Sequence, residues 1–274
     1  MNKNDELILS GIYIYPIKSL GGISLQSAKL EQRGLQYDRR WLLVDEDGVF
    51  ITQRKHFTLA MLQVEIKDQT LTVLHKTNPV QSISFQITEH LKEKINVTIW
   101  DDHATAYEVN TEVSQWFSDY LNINVRLVVM PDDEQRLVDK RYASHGEIVS
   151  FADAYPCLII GQSSLDELNT KLAEPILMDR FRPNIVFTGG EPHLEDTFKS
   201  FYIGQTQFSA VKLCARCVLT TVDQQTGAKG QEPLKTLAGY RTINKKVMFG
   251  QNLLHQGTGT ITVGDKLIVD TSKD

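Results

Sequence analysis

Short runs of apolar residues, several alternating with polar ones, occupy the first third of the chain and predict a mostly β region. The segments predicted as strands are residues 7–17, 41–44, 49–52, 64–66, 71–73, 80–87 and 97–100. Residues 45–48 (Asp-Glu-Asp-Gly) and 67–69 (Lys-Asp-Gln) have the composition of tight turns, so a hairpin is expected around each. Within 80–87, Ile83, Phe85 and Ile87 lie on one face of a half-buried strand.

The apolar period changes to that of a helix after Asn110, which is the predicted N-cap. The residues at helical spacing are Val113, Trp116, Phe117, Tyr120 and Leu121. Residues 122–130 return to a strand pattern. A second helix is predicted to begin at Ser164, where Glu167 completes a capping box. The apolar face expected for this helix consists of Leu165, Leu168 and Leu172.

The last third of the chain is again predicted to be β. The predicted strands are residues 184–187, 207–213, 217–222, 259–263 and 267–269. Many short strands with few helices favour β-barrels over a parallel α/β sheet. The polar, turn-like residues 131–134 (Pro-Asp-Asp-Glu) predict a boundary between an N-terminal region, residues 1–130, and a C-terminal domain, residues 131–274.

Charge and composition narrow the class of protein. The net charge of −5 disfavours nucleic acid or an anionic membrane as partner. No apolar run approaches the ~20 residues needed to span a bilayer, and neither a Rossmann nor a P-loop pattern occurs. Hydrophobic residues make up 41% and charged residues 23% of the chain, as in soluble globular proteins. Three cysteines do not form a secreted disulfide framework, so a reducing, cytoplasmic setting is expected.

Two cysteines three residues apart, Cys214 and Cys217, carry the most informative chemistry. Such a pair can share a metal or form a redox disulfide. A structural zinc site needs four ligands, and the third cysteine, Cys157, stands alone. A thioredoxin-like site needs a helix after the pair, whereas residues 217–222 favour a strand. Arg216 between the thiols favours a thiolate, which suits a metal whose other ligands come from a cofactor. A structural role for both cysteines remains the alternative.

The cysteine pair belongs to one of five sequence motifs that are distributed along nearly the whole chain. They are residues 14–19 (Ile-Tyr-Pro-Ile-Lys-Ser), Gly34 with 38–42 (Asp-Arg-Arg-Trp-Leu), 181–186 (Phe-Arg-Pro-Asn-Ile-Val) with Gly189, 214–217 (Cys-Ala-Arg-Cys) with 220–223 (Thr-Thr-Val-Asp) and Gly227, and 249–252 (Phe-Gly-Gln-Asn) with Gly264-Asp265. The set resembles the MOSC (molybdenum cofactor sulfurase C-terminal) domain proteins, in the group of the amidoxime-reducing and YcbX-like members.

The resemblance implies a mainly β, α+β fold in which an N-terminal β-barrel region packs on a C-terminal MOSC β-barrel domain. It also implies a molybdenum–pterin cofactor in the cleft between them, with Cys217 as the catalytic thiolate and metal ligand. The positions implied to contact the cofactor are Lys18, Ser19, Arg39, Ala154, Tyr155, Arg182, Asn184, Ala215, Arg216, Cys217 and Asn252. Ala154 and Tyr155 differ from the mitochondrial form, so backbone contacts are expected there. Ala215 replaces a serine that is common in the family, so a hydroxyl contact is lost at that position.

Three of these residues are cations, which fits a phosphate-bearing cofactor. Adjacent side chains of an extended strand face opposite ways, so only one of Arg39 and Arg40 can point into the site, and the motif selects Arg39. Asp153 is a further candidate for the pocket. For each residue alone, a solvated surface position is the alternative.

The implied activity is reduction of N-hydroxylated compounds (amidoximes, hydroxylamines and N-hydroxylated bases) by oxygen-atom transfer. No cysteine follows Cys217, so the four ligands of an iron–sulfur domain are missing. Electrons are therefore expected from a separate ferredoxin- or cytochrome-type protein with its reductase. Two alternatives remain: a carrier or transferase of persulfide sulfur on Cys217, and a non-catalytic carrier of the cofactor.

Overall fold

Runs of β-branched and aromatic residues make strands the dominant element of the computed structural model, which describes residues 6–143 and 145–273. The strands are β1 Ile8–Ile14, β2 Ile23–Leu25, β3 Ser27–Glu31, β4 Gly34–Leu35, β5 Trp41–Val44, β6 Leu62–Lys67, β7 Thr70–His75, β8 Asn78–Gln86, β9 Lys94–Ile99, β10 Asp102–Glu108, β11 Arg126–Val129, β12 Cys157–Gly161, β13 Ile185–Thr188, β14 Phe198–Ile203, β15 Thr206–Ala215, β16 Thr242–Ile243, β17 Lys246–His255, β18 Gly259–Thr262 and β19 Leu267–Ser272. The helices are α1 Thr111–Leu121, α2 Gln162–Thr170 and α3 Leu234–Ala238, with 3-10 turns at Phe57–Met61, Met178–Arg180, Leu194–Thr197 and Val218–Thr221.

The largest sheet runs in the order β19-β14-β15-β17-β12-β13-β1-β2, and β16 pairs with β17. Its central pair β12–β13 is parallel, whereas its other pairs in the described residues are antiparallel. Three smaller sheets have the orders β5-β11-β10-β9, β18-β3-β4 and β6-β7-β8. The predicted mainly β class is therefore confirmed.

Strands that precede residue 131 pair with strands that follow it. Ile12 of β1 lies opposite Ile185 of β13, and Leu30 of β3 lies opposite Gly259 of β18. Sheets thus join strands from both sides of residue 131, and the division of the chain at that point stays a prediction.

Two local predictions are confirmed in detail. The hairpin of β6 and β7 closes through Asp68 and Gln69, whose φ angles of 48° and 65° suit a turn that follows the strand twist. Helix α1 is capped as expected, because the Asn110 side chain accepts a hydrogen bond from the Val113 amide at 2.7 Å. A left-handed Asn122 (φ 53°) then ends the helix, so the following strand begins only at Arg126.

Three local predictions are wrong, two of them because a polar side chain has another partner. Helix α2 begins at Gln162 after an uncapped Gly161, since the Ser164 hydroxyl donates to the buried Glu195 carboxylate at 2.9 Å. Residues 218–221 form a 3-10 turn instead of a strand, because the Thr220 hydroxyl donates back to the Cys217 carbonyl at 3.0 Å. Residues 49–52 form only isolated bridges, one of them to β9.

Two apolar clusters form most of the interior. One packs under the large sheet and includes Leu9, Ile12, Ile185, Phe187, Phe198, Phe201 and Phe208. The other includes Trp41, Leu62, Phe85, Val113 and Phe117. Ile23 and Tyr37 pack against both clusters, so the two cores are continuous. No helix in the described part of the chain is long and apolar enough to cross a membrane.

Gly34 marks a close approach of β4 to the segment that precedes β12. Its φ is +112°, and a Cβ added there would lie 2.7 Å from the Pro156 carbonyl oxygen. Gly264 has a similar φ of +100° but nothing within 4 Å of an added Cβ. An alanine at either position would be strained by the positive φ, but only an alanine at position 34 would also overlap with another atom. Comparison of the two positions therefore separates backbone strain from steric overlap.

We predict that Gly34→Ala lowers the free energy of unfolding by about 1–3 kcal/mol more than Gly264→Ala, because only Gly34→Ala overpacks against a backbone atom. Urea titration of both variants beside the unchanged protein measures the difference. Equal losses would mean that the contact with Pro156 is loose and that positive φ alone requires the glycine.

Candidate active-site cleft

One cleft of about 280 Å³ is lined by every residue that the resemblance implies to contact the cofactor. Its lining includes Lys18, Ser19, Arg39, Ala154, Tyr155, Arg182, Asn184, Ala215, Arg216, Cys217 and Asn252. Residues far apart in the sequence converge here because β1 pairs with β13 beside β12. We call this the cationic cleft, since six of the side chains that line it are Lys or Arg and one, Asp153, is a carboxylate.

The ring of Tyr15 lies under the cleft between two guanidinium groups. The Cζ atoms of Arg39 and Arg182 lie 4.3 and 4.1 Å from the ring centroid. The hydroxyl donates to the Pro183 carbonyl at 3.2 Å and the amide donates to Asp38 at 2.8 Å. Burial raises the pKa of Tyr15, although Arg182 and Arg39 counteract it. The neutral ring thus keeps two like charges apart and stacked in place.

The buried charges of the two arginines are stabilised by different partners. Arg39 donates to Asp38 at 2.5 Å and to the Arg182 carbonyl at 3.2 Å; burial opposes its charge, but Asp38 raises its pKa overall. Arg182 donates to the Leu20 carbonyl at 2.7 Å, and burial lowers its pKa to about 10. Arg40 donates to Asp132 at 2.7 Å and to the Met130 carbonyl at 2.9 Å. The expected extended strand is wrong here, because residues 36–39 form a turn and Arg39 has a φ of 49°.

Three lining residues hold a left-handed backbone although none is glycine. Their φ angles are 77° at Ser19, 49° at Arg39 and 53° at Arg182. A left-handed residue with a Cβ costs roughly 1–2 kcal/mol, and such strain concentrates at functional sites. The fold therefore bears local strain at three points around one cleft.

A chain of ion pairs runs along one wall to the cysteine. Lys18 Nζ donates to Asp153 at 2.6 Å and to the Phe151 carbonyl at 2.7 Å. Arg54 donates to the other Asp153 oxygen at 2.8 Å and, through Nε, to Cys217 Sγ at 3.2 Å. Burial lowers the pKa of Lys18 to about 8 although Asp153 opposes the shift. Desolvation by the cleft walls disfavours the Asp153 charge, but Lys18 and Arg54 hold its pKa well below the usual range.

The cation that hydrogen-bonds to the Cys217 thiol is Arg54, whereas Arg216, which was expected to favour a thiolate from between the two thiols, lies beside Cys214. Arg216 donates to Cys214 Sγ at 3.0 Å and to the Phe181 carbonyl at 2.6 Å. In the extended segment at the end of β15, residues two apart share a face, so Arg216 lies on the side of Cys214 and not on that of Cys217. Cys217 is exposed and Cys214 half-buried, so the two thiols occupy different surroundings.

Two residues that were predicted to contact the cofactor also form hydrogen bonds between the segments that form the cleft. The Asn184 amide donates to the Tyr13 carbonyl at 3.1 Å and accepts from the Leu158 amide at 3.2 Å. Asn252 donates to the Lys212 carbonyl at 3.1 Å. Sequence reasoning did not single out Arg54, Thr52 or Lys212, which also line the cleft. The only available signal was a Thr-Gln-Arg-Lys segment after an apolar run, which is common on protein surfaces.

An elongated anion with a soft metal centre fits this arrangement. The cationic side chains supply charge and donors for phosphate and polar ring atoms, and an exposed thiol stands beside a guanidinium at one end of the cleft. In the described residues, no group of three or more His, Cys, Asp or Glu side chains is arranged to hold a metal ion. Cys217 would thus be one ligand among several that the cofactor itself brings.

Two family models divide the chain between them. Residues 7–124 match the MOSC N-terminal beta barrel domain, and residues 146–268 match the MOSC domain. The chain therefore belongs to the MOSC domain proteins that carry the MOSC N-terminal barrel.

Relatives within this family match over most of the chain. Mitochondrial amidoxime-reducing component 1 of Mus musculus is 32% identical, with 93% of this chain and 79% of the relative covered. Mitochondrial amidoxime reducing component 2 of Rattus norvegicus is also 32% identical, with 94% and 81% covered. The molybdenum cofactor sulfurase of Oryza sativa subsp. japonica is 31% identical, but only 32% of that protein is covered. Among solved structures, the YUAD protein of Bacillus subtilis matches at 12% identity and a TM-score of 0.44, with 95% of this chain and 93% of that chain covered.

The Lys18 ammonium makes anion binding in the cleft depend on pH. Because its pKa is lowered to about 8, Lys18 is a cation at neutral pH and becomes neutral as the pH rises through that value. We predict that sulfate, whose charge is constant in this range, binds the cofactor-free protein several-fold more weakly at pH 9.5 than at pH 7. Calorimetric titration at both pH values measures this change.

The matched variant is Lys18→Met, which should bind sulfate weakly at pH 7 and lose less at pH 9.5 than the original protein does. The loss that remains is due to Arg182, whose pKa is about 10. Asp153 and Arg54, which face Lys18, keep their charges over this interval, because the pKa of the carboxyl is lowered and that of the guanidinium is raised. An unchanged pH dependence in Lys18→Met would assign it to another group.

Proposed function

We propose that this protein holds a molybdenum–pterin cofactor in the cationic cleft and reduces N-hydroxylated compounds. The observation that carries the proposal is the position of the Cys217 thiol, exposed in the same cleft as Lys18, Arg39 and Arg182. The names of the relatives, amidoxime-reducing component and molybdenum cofactor sulfurase, support the same cofactor.

The residues of the cleft have different roles in binding the cofactor. Arg39 and Arg182 hold the phosphate and pterin, with the two stacked guanidinium groups oriented by Tyr15. Lys18 adds a compact charge, and Arg54 stabilises the Cys217 thiolate that binds the metal. Ser19, Ala154, Ala215 and Asn252 line the remaining wall. When bound, the cofactor supplies two-electron oxygen-atom transfer, and the protein supplies binding, orientation and electrostatics.

The net reaction converts an amidoxime, two electrons and two protons into an amidine and water. The N–O bond breaks and its oxygen leaves as water, while the nitrogen gains a proton. We propose that a separate ferredoxin- or cytochrome-type protein with its reductase delivers the electrons, and that the protein works in the cytoplasm. A reduced viologen dye replaces this donor in the assays below.

The sulfurase relatives favour one alternative, in which Cys217 carries persulfide sulfur for transfer to a metal centre. Elemental analysis separates the two: bound molybdenum supports the reductase, and labile sulfur without metal supports the carrier of sulfur. A protein that binds molybdenum but reduces no amidoxime with a viologen donor would instead be a carrier of the cofactor. Protein from a host that makes the cofactor serves for all three measurements.

We predict that Cys217→Ala abolishes reductase activity and that Cys214→Ser keeps part of it. Cys217 is exposed in the cleft beside Arg54, whereas Cys214 bonds to Arg216, which also fixes the Phe181 carbonyl. Steady-state kinetics with reduced viologen measure both variants. An equal loss in the two would point to a disulfide or a metal shared by both thiols.

We predict that Arg182→Lys loses most of its molybdenum while the cofactor-free variant melts within a few degrees of the cofactor-free original. Loss of one partner of a buried charged hydrogen bond weakens binding by roughly 2–5 kcal/mol, which is tens- to thousands-fold in affinity. Lysine keeps the charge but lacks the second donor and the flat surface that stacks on Tyr15.

The matched control is Arg141→Lys, because Arg141 is exposed and bonds to Asp139 outside the cleft. Molybdenum per protein is measured beside thermal unfolding of each cofactor-free form. Normal occupancy in Arg182→Lys, Lys18→Ala and Arg39→Ala together would place the cofactor elsewhere in the molecule.

A further inference from the structure

The segment from the end of β15 to the start of β17 carries much more positive charge than the rest of the chain. Residues 212–246 include seven Lys or Arg residues and two carboxylates, although the whole chain has a net charge of −5. Both carboxylates have partners: Asp223 pairs with Arg180 at 2.7 Å, and Glu232 accepts from a backbone amide of α3 at 3.0 Å. The cations of this segment are therefore left with little negative charge to balance them.

Four of these cations are exposed and lie outside the lining of the cleft, namely Lys229, Lys235, Lys245 and Lys246. We call these four residues the basic rim. None of them forms a salt bridge with a carboxylate in the part of the chain that the structure describes. Charge that is neither paired nor buried acts on molecules in solution, so the basic rim is available to a partner.

The hairpin of β16 and β17 brings two of these lysines beside the exposed thiol. The Arg216 amide donates to the Val247 carbonyl at 2.7 Å, which continues the antiparallel ladder of β15 and β17. In the same register, Lys246 comes level with Cys217, and Lys245 occupies the tip of the hairpin. Positive charge therefore flanks the cysteine end of the cationic cleft on this side.

The other two lysines lie on segments that contact the 3-10 turn after Cys217. Val222, which ends this turn, forms a β-bridge with Lys229. Helix α3, which carries Lys235, packs against the same turn. All four members of the basic rim thus belong to the structure that surrounds Cys217.

Two exposed apolar side chains lie among these cations. Val218, the residue after Cys217, is 43% exposed, and Ile243 of the hairpin is 42% exposed. Transient electron-transfer complexes bury small interfaces, with less than about 1,200 Å² of surface. Interfaces of this kind combine apolar contacts at the centre with polar and charged groups around them. The surface beside Cys217 has both components.

We propose that the basic rim, with Val218 and Ile243, is the docking surface for a small acidic electron-transfer protein. This inference rests on the proposed function and adds to it the place where the donor binds. The rate of electron transfer falls steeply with distance, so the donor has to dock close to Cys217. Each reduced one-electron carrier gives up one electron. Two successive encounters therefore deliver the two electrons that an amidoxime consumes together with two protons from solvent.

Charge determines which carrier fits this surface. Cations around a docking site raise the rate of encounter with an acidic protein and fix its orientation. The remainder of this chain is acidic, so it repels the same carrier and directs it to the basic rim. An anionic membrane would be attracted by the same lysines, but it would also cover the exposed thiol and close the cleft to small substrates.

The experiment measures the binding of oxidised plant-type ferredoxin, an acidic one-electron carrier, to the cofactor-loaded protein by calorimetry at low and at high salt. The rim variant combines Lys235→Glu and Lys246→Glu. The matched control combines Lys67→Glu and Lys199→Glu, because Lys67 of β6 and Lys199 of β14 are exposed and lie outside the lining of the cleft. Both double variants change the net charge by the same amount, so only the location of the change differs.

We expect the rim variant to bind ferredoxin about tenfold more weakly than the original protein at low salt, and the control to bind almost as well as the original. High salt should remove most of this difference, because it screens exposed charges. With reduced ferredoxin as donor, KM for ferredoxin should rise in the rim variant. Turnover with reduced viologen should stay close to that of the original, because a small dye reaches the cleft without docking. Thermal unfolding should be unchanged in both variants, since all four lysines are exposed.

The possible failures are distinguishable. Equal weakening in the rim variant and the control, or no binding of ferredoxin to the original protein, would overturn the docking surface. Loss of binding to phosphatidylserine vesicles in the rim variant, with unchanged binding of ferredoxin, would overturn it in favour of a membrane surface. Turnover with viologen and an unchanged KM for ferredoxin in the rim variant would refute the surface and leave the reductase intact. Binding of ferredoxin that depends on the rim, without turnover by any donor, would support the surface and refute the reductase.

Discussion

The placement of Tyr15 between the guanidinium groups of Arg39 and Arg182 is the interaction on which the site depends most. Tyr15 follows β1, Arg39 precedes β5 and Arg182 precedes β13, so a single ring joins three segments from both halves of the chain. Stacking satisfies the flat faces of both cations and leaves their edges to donate hydrogen bonds. Without the ring, both buried guanidinium groups would lose the aromatic contact that they share.

The residues of the cleft have several features that lower the stability of the fold, and the rest of the fold must compensate for them. Cations outnumber carboxylates along its lining, although the whole chain carries a net charge of −5. Several lining residues hold a strained backbone, and burial lowers the pKa of both Lys18 and Arg182. An anionic occupant relieves the repulsion between these charges without any change in the fold. The continuous apolar interior, which contains Phe187, Phe201 and Phe208, supplies the stability that such a preformed site requires.

The contact residues of the cleft were predicted from the resemblance of ordered motifs to a family, because local chemistry alone left each of them a plausible surface residue. Partners across the fold could not be predicted in this way. The capped helix after Asn110 and the hairpin around Asp68 follow from short-range rules, and the structure confirms both. The strand expected at residues 217–222 was wrong because threonine hydroxyls can bond to the backbone instead. Arg54 was missed since nothing near it in the sequence reveals that Asp153 and Cys217 are its neighbours.

The pairing of β3 with β18 has a consequence for how the chain acquires its structure. Ser27 lies opposite Thr262, so this ladder cannot form during synthesis until the chain beyond residue 262 has left the ribosome. Contacts between residues so distant in sequence slow folding, because the entropy of closing a long loop is lost before the contacts form. Until then the apolar side of β3, Ala28 and Leu30, stays uncovered, and apolar surface exposed in an incomplete fold favours aggregation.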